Sequence, residues 1–147
     1  QLLLNLSPRA DGTIPDDQRR VALEVGKWLW SFGDAIYDTR PFEVAGETIE
    51  GGGRVFYTRK GASLYAIFVG WPGKGKTIAL RELTPDRLGG AISSALLYGL
   101  KTRDACAFAT SAAGTSLTLP PTSGQPSEYA TVVRFQMDAD LSQSTAR

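Results

Sequence analysis

The spacing of apolar residues changes along the chain, and the change divides it. Val21, Val25, Trp28, Leu29 and Phe32 fall four, three, one and three residues apart. That is the spacing of one face of an amphipathic helix. Arg19, Arg20, Glu24 and Lys27 lie mostly off that face. Pro15 suits a first helical position, where its missing N–H costs nothing. Asp16 and Asp17 favour the positive end of the helix dipole, and Gly33 stands where a C-cap is expected. Upstream, Leu2 to Leu6 is a nearly continuous apolar run, as in a strand buried on both faces of a parallel sheet. Pro8 ends it, and Asp11-Gly12 signals a turn. Residues 1 to 33 therefore predict strand, loop and helix. One strand and one helix cannot bury their own apolar faces, so this unit reads as the end of something larger.

After the helix the period shortens. Asp34 to Phe42 reads as extended, and Gly46 with Gly51-Gly52-Gly53 reads as a flexible connection. Short β-rich runs follow: Val55–Thr58, Leu64–Val69, Thr77–Leu80, Ile92–Tyr98, Ala105–Ala109, Thr115–Leu119 and Tyr129–Met137. Gly and Pro punctuate them, which predicts an antiparallel sandwich or barrel. Leu88 to Leu100 fits helix as well as strand. The tail from Asp138 is polar. No repeat is present.

Composition narrows the chemistry. The 147 residues suffice for one domain with a real core, and 42% hydrophobic with 21% charged content is ordinary for a globular chain. A net charge of +1 implies no polyanionic partner such as nucleic acid. No apolar run approaches the roughly 20 residues that span a bilayer. With no histidine and a single cysteine, Cys106, the chain holds no Ser-His-Asp triad, no multi-cysteine metal site and none of the common zinc sites. Cys106 lies between Ala105 and Ala107 and reads as a buried, inert thiol.

Two short motifs need weighing. Gly70-Trp71-Pro72-Gly73-Lys74-Gly75-Lys76-Thr77 matches the phosphate-loop pattern G-x-x-x-x-G-K-[ST]. Such a loop needs a long helix after it, with its N-terminus aimed at the anion. Here Thr77 to Leu83 alternates like a strand and Thr84-Pro85 closes it, so nucleotide binding at 70–77 is a minor alternative to a hairpin turn with two exposed lysines. Asn5-Leu6-Ser7 matches a glycosylation sequon, but its place in an expected buried strand argues against use. Among the aromatics, Trp28 belongs to the helix face, whereas Trp30 and Trp71 lack an evident core role. Trp71 is the candidate glycan contact.

The residues also carry a family resemblance. Leu2-Leu3-Leu4-Asn5-Leu6-Ser7-Pro8-Arg9-Ala10-Asp11-Gly12-Thr13-Ile14-Pro15 resembles the stretch that ends the catalytic barrel of the retaining α-L-fucosidases of glycoside hydrolase family 29. Val25-Gly26-Lys27-Trp28-Leu29 is similar to the family's I-G-x-W-L helix. Gly33-Asp34-Ala35-Ile36-Tyr37-Asp38-Thr39-Arg40-Pro41-Phe42 is similar to N-G-E-A-I-Y-x-T-R-P-W. Tyr57-Thr58-Arg59-Lys60-Gly61 and Leu64 to Pro72 resemble its Y-T-x-K-G and Y-A-I-x-x-x-W-P hairpin. The chain departs at Phe32 (family Asn), Asp34 (Glu) and Phe42 (Trp), and its Glu43 to Gly53 connection is unusual.

The resemblance implies a mainly β fold: an antiparallel β-sandwich at 54–147, preceded by the last βα unit of a truncated (β/α)8-like barrel at 1–38, with 39–53 as linker. It implies part of an enzyme that hydrolyses terminal α-L-fucosyl linkages in glycoconjugates through a covalent intermediate, without a metal or other cofactor. The family's catalytic aspartate, glutamate and fucose-binding histidines come from earlier strands, so the expectation is a chain with no catalytic residues, inactive alone. Asn5 and Asp11 are the candidates for walling the active face, since the loop after a barrel strand lies there. The rival is a non-catalytic sandwich that packs on the barrel or binds glycans. A secreted, periplasmic or lysosomal location follows from the resemblance alone.

Overall fold

A computed structural model describes residues 3–121 and 124–138. Helix α1 spans Asp16–Phe32 and runs on into a 3-10 turn at Gly33–Ala35. Strands β1 (Arg40–Thr48), β2 (Arg54–Lys60), β3 (Ser63–Val69) and β4 (Thr77–Leu80) follow, then the single turn α2 (Pro85–Leu88). The remaining strands are β5 (Ile92–Tyr98), β6 (Arg103–Ala105), β7 (Ala107–Ser111), β8 (Gly114–Thr118) and β9 (Ala130–Met137). They form a six-stranded sheet in the order β1-β2-β3-β9-β5-β6 and a three-stranded sheet in the order β4-β8-β7. The paired strands are antiparallel. The protein is mainly β, with sandwich architecture as the punctuated short runs predict.

The period-two pattern builds the core. Val55 and Tyr57, Leu64, Ala66 and Phe68, Ala95 and Leu97, and Val133, Phe135 and Met137 point inward from the large sheet. Ile78, Leu80 and Leu117 meet them from the small one. β9 is buried on both faces: Val132 points outward and joins Phe32, Ala35, Tyr65 and Tyr98 in a second cluster. Trp28 packs against that cluster, and its indole N–H donates to the Ala130 carbonyl oxygen at 3.1 Å. The helix therefore docks on the outer face of the large sheet with the stripe its periodicity predicts. Only Phe32 of α1 is fully buried; Val21, at the far end of the stripe, is exposed.

Several expectations need correction. Residues 3–6 form no strand, and Leu3, Leu4 and Leu6 are exposed; a strand exists only with a neighbour, and none lies beside them among the described residues. Leu2 lies outside the described residues. The stretch 39–53 is not a linker: Arg40–Thr48 is edge strand β1, and Gly51 and Gly52, both at positive φ, make the turn into β2. Gly46 serves close approach, because a Cβ there would strike the Val55 carbonyl oxygen. Gly33 is the C-cap of α1, as expected, in the right-handed conformation. Its φ is −60°, and its lack of a side chain makes room for the Tyr37 ring, 2.7 Å from where a Cβ would sit.

Residues 70–76 are no hairpin turn, since β3 and β4 belong to different sheets. Ala105–Ala109 is broken at Cys106, where the chain passes from the large sheet to the small one. The ambiguous Leu88 to Leu100 resolves as the end of α2, a left-handed Gly89 cap and strand β5, whose pairing with β9 decides the matter.

Candidate functional site

The loop before α1 closes on itself. Asp11 Oδ1 accepts from the Thr13 N–H at 3.0 Å and from the Thr13 hydroxyl at 2.7 Å, an Asx turn. The Arg9 N–H donates to the Thr13 carbonyl and the Gly12 N–H to that of Arg9. The Thr13 N–H, with the hydroxyl second, holds the Asp11 carboxyl below its ordinary range. The Ser7 N–H donates to Gln18 Oε1 at 2.8 Å and ties the loop to the helix. Asn5 and Asp11 are both exposed. Asn5 is thus not at the end of a buried strand, and burial is no argument against use of its sequon.

The candidate aromatics separate. Trp28 is committed to the sheet. Trp30 projects from the opposite side of α1 and is 93% exposed. Trp71 follows β3 in the crossover and packs, half-buried, against the main core. Its neighbour Gly70 is pinned to the start of β9: the Gly70 N–H donates to the Tyr129 carbonyl and the Thr131 hydroxyl donates to the Gly70 carbonyl. No described contact brings Trp71 together with Asn5 or Asp11. Lys74 and Lys76 are exposed, and strand β4 begins at Thr77 where a phosphate loop requires a helix. The nucleotide reading of 70–77 is therefore excluded.

Chemistry elsewhere is structural. Burial pushes the Cys106 thiol up to about 11, so it stays protonated and inert near neutrality. No group of three or more Cys, Asp or Glu among the described residues could hold a metal ion. No helix among them is long and apolar enough to cross a membrane.

The polar centre that the sequence hides is Glu47. Its Oε1 accepts from the Tyr57 hydroxyl at 2.6 Å and from the Glu82 N–H at 3.1 Å, and its Oε2 from the Arg81 N–H at 2.9 Å. Burial, and next the hydrogen bond to Glu47, raises the Tyr57 phenol far above its ordinary range. Glu47 reaches from the edge strand of the large sheet to the end of β4, the edge of the small one. Beside it lies an open cleft of about 530 Å³ lined by residues of the β1–β2 hairpin, Arg81 and Glu82. Thirty-four residues separate Glu47 from Arg81, so no local pattern announces the pairing.

No family model matches the chain. It is 47% identical over 74 residues to the tissue α-L-fucosidase of Homo sapiens, a match covering 50% of this chain and 15% of that protein. It is 40% identical over 85 residues to the α-L-fucosidase of Branchiostoma floridae, covering 57% of this chain and 18% of that one. The fold superposes on the Thermotoga maritima α-fucosidase with a TM-score of 0.69 at 29% identity, over 90% of this chain and 29% of the other. An α-L-fucosidase isoenzyme from Paenibacillus thiaminolyticus gives 0.66 at 29% identity, over 91% and 30%. The chain thus spans less than a third of the length of each.

Proposed function

We propose that this chain, similar in sequence and fold to α-L-fucosidases, is the C-terminal portion of a retaining α-L-fucosidase of glycoside hydrolase family 29, inactive on its own. The complete protein hydrolyses terminal α-L-fucosyl linkages of glycoconjugates. It does so by double displacement between two carboxyl groups supplied by the rest of the protein. The observation that carries this reading is the coincidence of sequence and fold: 40–47% identity to named α-L-fucosidases and superposition of nine-tenths of the chain on solved ones. A fucosidase of this kind works outside the cytosol, in a secreted, periplasmic or lysosomal setting.

The role of the chain is to complete and brace the catalytic part. Leu3, Leu4 and Leu6 are apolar, exposed and without sheet partners, the condition of a strand whose neighbours are elsewhere. Gly26 supports the same reading. Mid-helix glycine is unfavourable by roughly 1 kcal/mol against alanine, and nothing lies within 4 Å of where its Cβ would be. A neighbour packed closely on that flank of α1 explains a residue that this chain alone does not. Asn5 and Asp11 then sit at the rim of the active face, and the half-exposed Trp71 offers a glycan contact. The test is release of nitrophenol from 4-nitrophenyl α-L-fucoside by the full gene product. Saturable turnover is expected, and its absence in a folded protein refutes the proposal.

A further inference from the structure

The cleft beside Glu47 holds charges that the described residues leave unbalanced. Four charged side chains line it: Glu47, Glu82, Arg54 and Arg81. Of the two carboxylates, Glu82 has a cationic partner and Glu47 has neutral donors. Glu47 is held by Tyr57 and two backbone N–H groups, and Glu82 is ion-paired with Arg87. The two arginines have no anionic partner among the described residues. Arg54 carries its guanidinium 5.0 Å from the centre of the Phe56 ring, and Arg81 is exposed.

The walls are built rather than incidental. Gly46 admits the β2 backbone at a distance no side chain tolerates, and the pairing of β1 with β2 is irregular between Pro41 and Gly46. Glu47 anchors the opposite wall by holding the Arg81 and Glu82 N–H groups. A ring-stacked arginine is preorganised, so less side-chain entropy is lost when it binds an anion. This hairpin is also where the chain departs from the family resemblance, at Glu43 to Gly53.

We propose that the cleft binds an acidic sugar, a pyranose bearing a carboxylate or sulfate, with the anion held by Arg54 and Arg81. With Glu82 paired to Arg87, two guanidinium groups face the single carboxylate of Glu47, and the anion follows from that surplus; the sugar as its carrier rests on the glycosidase reading. Charge-assisted bonds from two guanidinium groups give the site its selectivity.

The test is a titration of the isotopically labelled chain with methyl β-D-glucuronide, methyl β-D-glucoside and inorganic sulfate, followed through the backbone amides of Gly46, Arg81 and Glu82. The glucuronide is expected to shift these resonances saturably, and the neutral glucoside not to. Arg54→Ala and Arg81→Ala should each weaken binding about tenfold, the loss of one charged partner. Both side chains are exposed, so unchanged spectra away from the cleft verify the fold of each variant. No shift with the glucuronide, equal binding of the glucoside, or indifference to both substitutions overturns the proposal. Sulfate as tight as the glucuronide overturns its sugar part. The fucosidase reading fails separately, in the turnover assay of the full gene product.

Discussion

The indole N–H of Trp28 donates to the carbonyl oxygen of Ala130 across 102 residues of chain, at 3.1 Å. It joins α1 to the first residue of β9, the strand at the middle of the large sheet. The Trp28 ring also packs against Phe32, with centroids 5.3 Å apart. Trp28→Ala removes the bond and most of the packing, and should destabilise the chain by about 2–4 kcal/mol. Trp28→Phe keeps the packing and leaves the Ala130 carbonyl without its donor, at about 1 kcal/mol. Urea denaturation measures both. A loss from Trp28→Ala below that from Trp28→Phe would mean that the helix is not docked through this residue.

Glu47 clasps the open flank of the sandwich. Glu47→Ala strips an acceptor from the Tyr57 hydroxyl and from the Arg81 and Glu82 N–H groups, with an expected loss of about 2–3 kcal/mol. Glu47→Gln retains one acceptor oxygen and should cost about 1 kcal/mol. A Tyr57→Phe background should absorb part of the Glu47→Ala loss, because the phenol bond is then already gone. Full additivity in the double-mutant cycle would show that the two side chains are not coupled.

Gly33 and Tyr37 form a size-matched pair. Gly33→Ala places a methyl group 2.7 Å from the Tyr37 ring, and the ring must move. The backbone there is ordinary right-handed helix, so strain plays no part and overpacking alone sets a loss of about 1 kcal/mol or more. Tyr37→Ala should relieve most of it. Equal losses from Gly33→Ala with and without the tyrosine would contradict the packing explanation.

Cys106 should make the chain less stable in alkali. Its folded pKa is raised to about 11 by burial, from an ordinary value of 9.0. The folded state holds the proton more tightly than the unfolded one. The thiol's contribution is therefore fully present below about pH 9 and is lost as the pH rises through about 11. Cys106→Ser should flatten that part of the stability profile. Iodoacetamide at neutral pH should label the native thiol far more slowly than the denatured one.

Much of the fold was legible in residues, and the failures have physical causes. The α1 stripe declared itself through Val25, Trp28, Leu29 and Phe32, because helical periodicity is local. Most strand runs were legible for the same reason. Strand β1 was missed because Gly46 and the glycines at 51–53 look like flexibility, whereas Gly46 answers a tertiary contact with Val55 and Gly51-Gly52 make a hairpin. Leu3 to Leu6 misled in the opposite direction: the composition is that of a strand, but strand structure lies in partners. The Glu47 centre was illegible because its donors come from β2 and the end of β4. The Arg54–Phe56 stack did have a signal, since residues two apart in a strand share a face. Its meaning emerged only with Arg81 across the cleft.

The exposed leucines predict the solution behaviour of the chain alone. Leu3 is 84% exposed, and Leu4, Leu6, Ile14, Val21 and Leu23 are exposed with it. An apolar surface of this kind promotes self-association. Light scattering should show association that rises with concentration and falls on combined Leu4→Ser and Leu6→Ser substitution. A monomer at all concentrations would show that these residues are tolerated without a covering partner.

If this chain is the non-catalytic part of an α-L-fucosidase, as proposed, it has no turnover of its own. Hydrolysis of 4-nitrophenyl α-L-fucoside by the purified 147-residue chain tests it most directly, with the full gene product measured alongside. Turnover is expected from the full product and none above the buffer rate from the chain. Saturable turnover by the purified chain would contradict it.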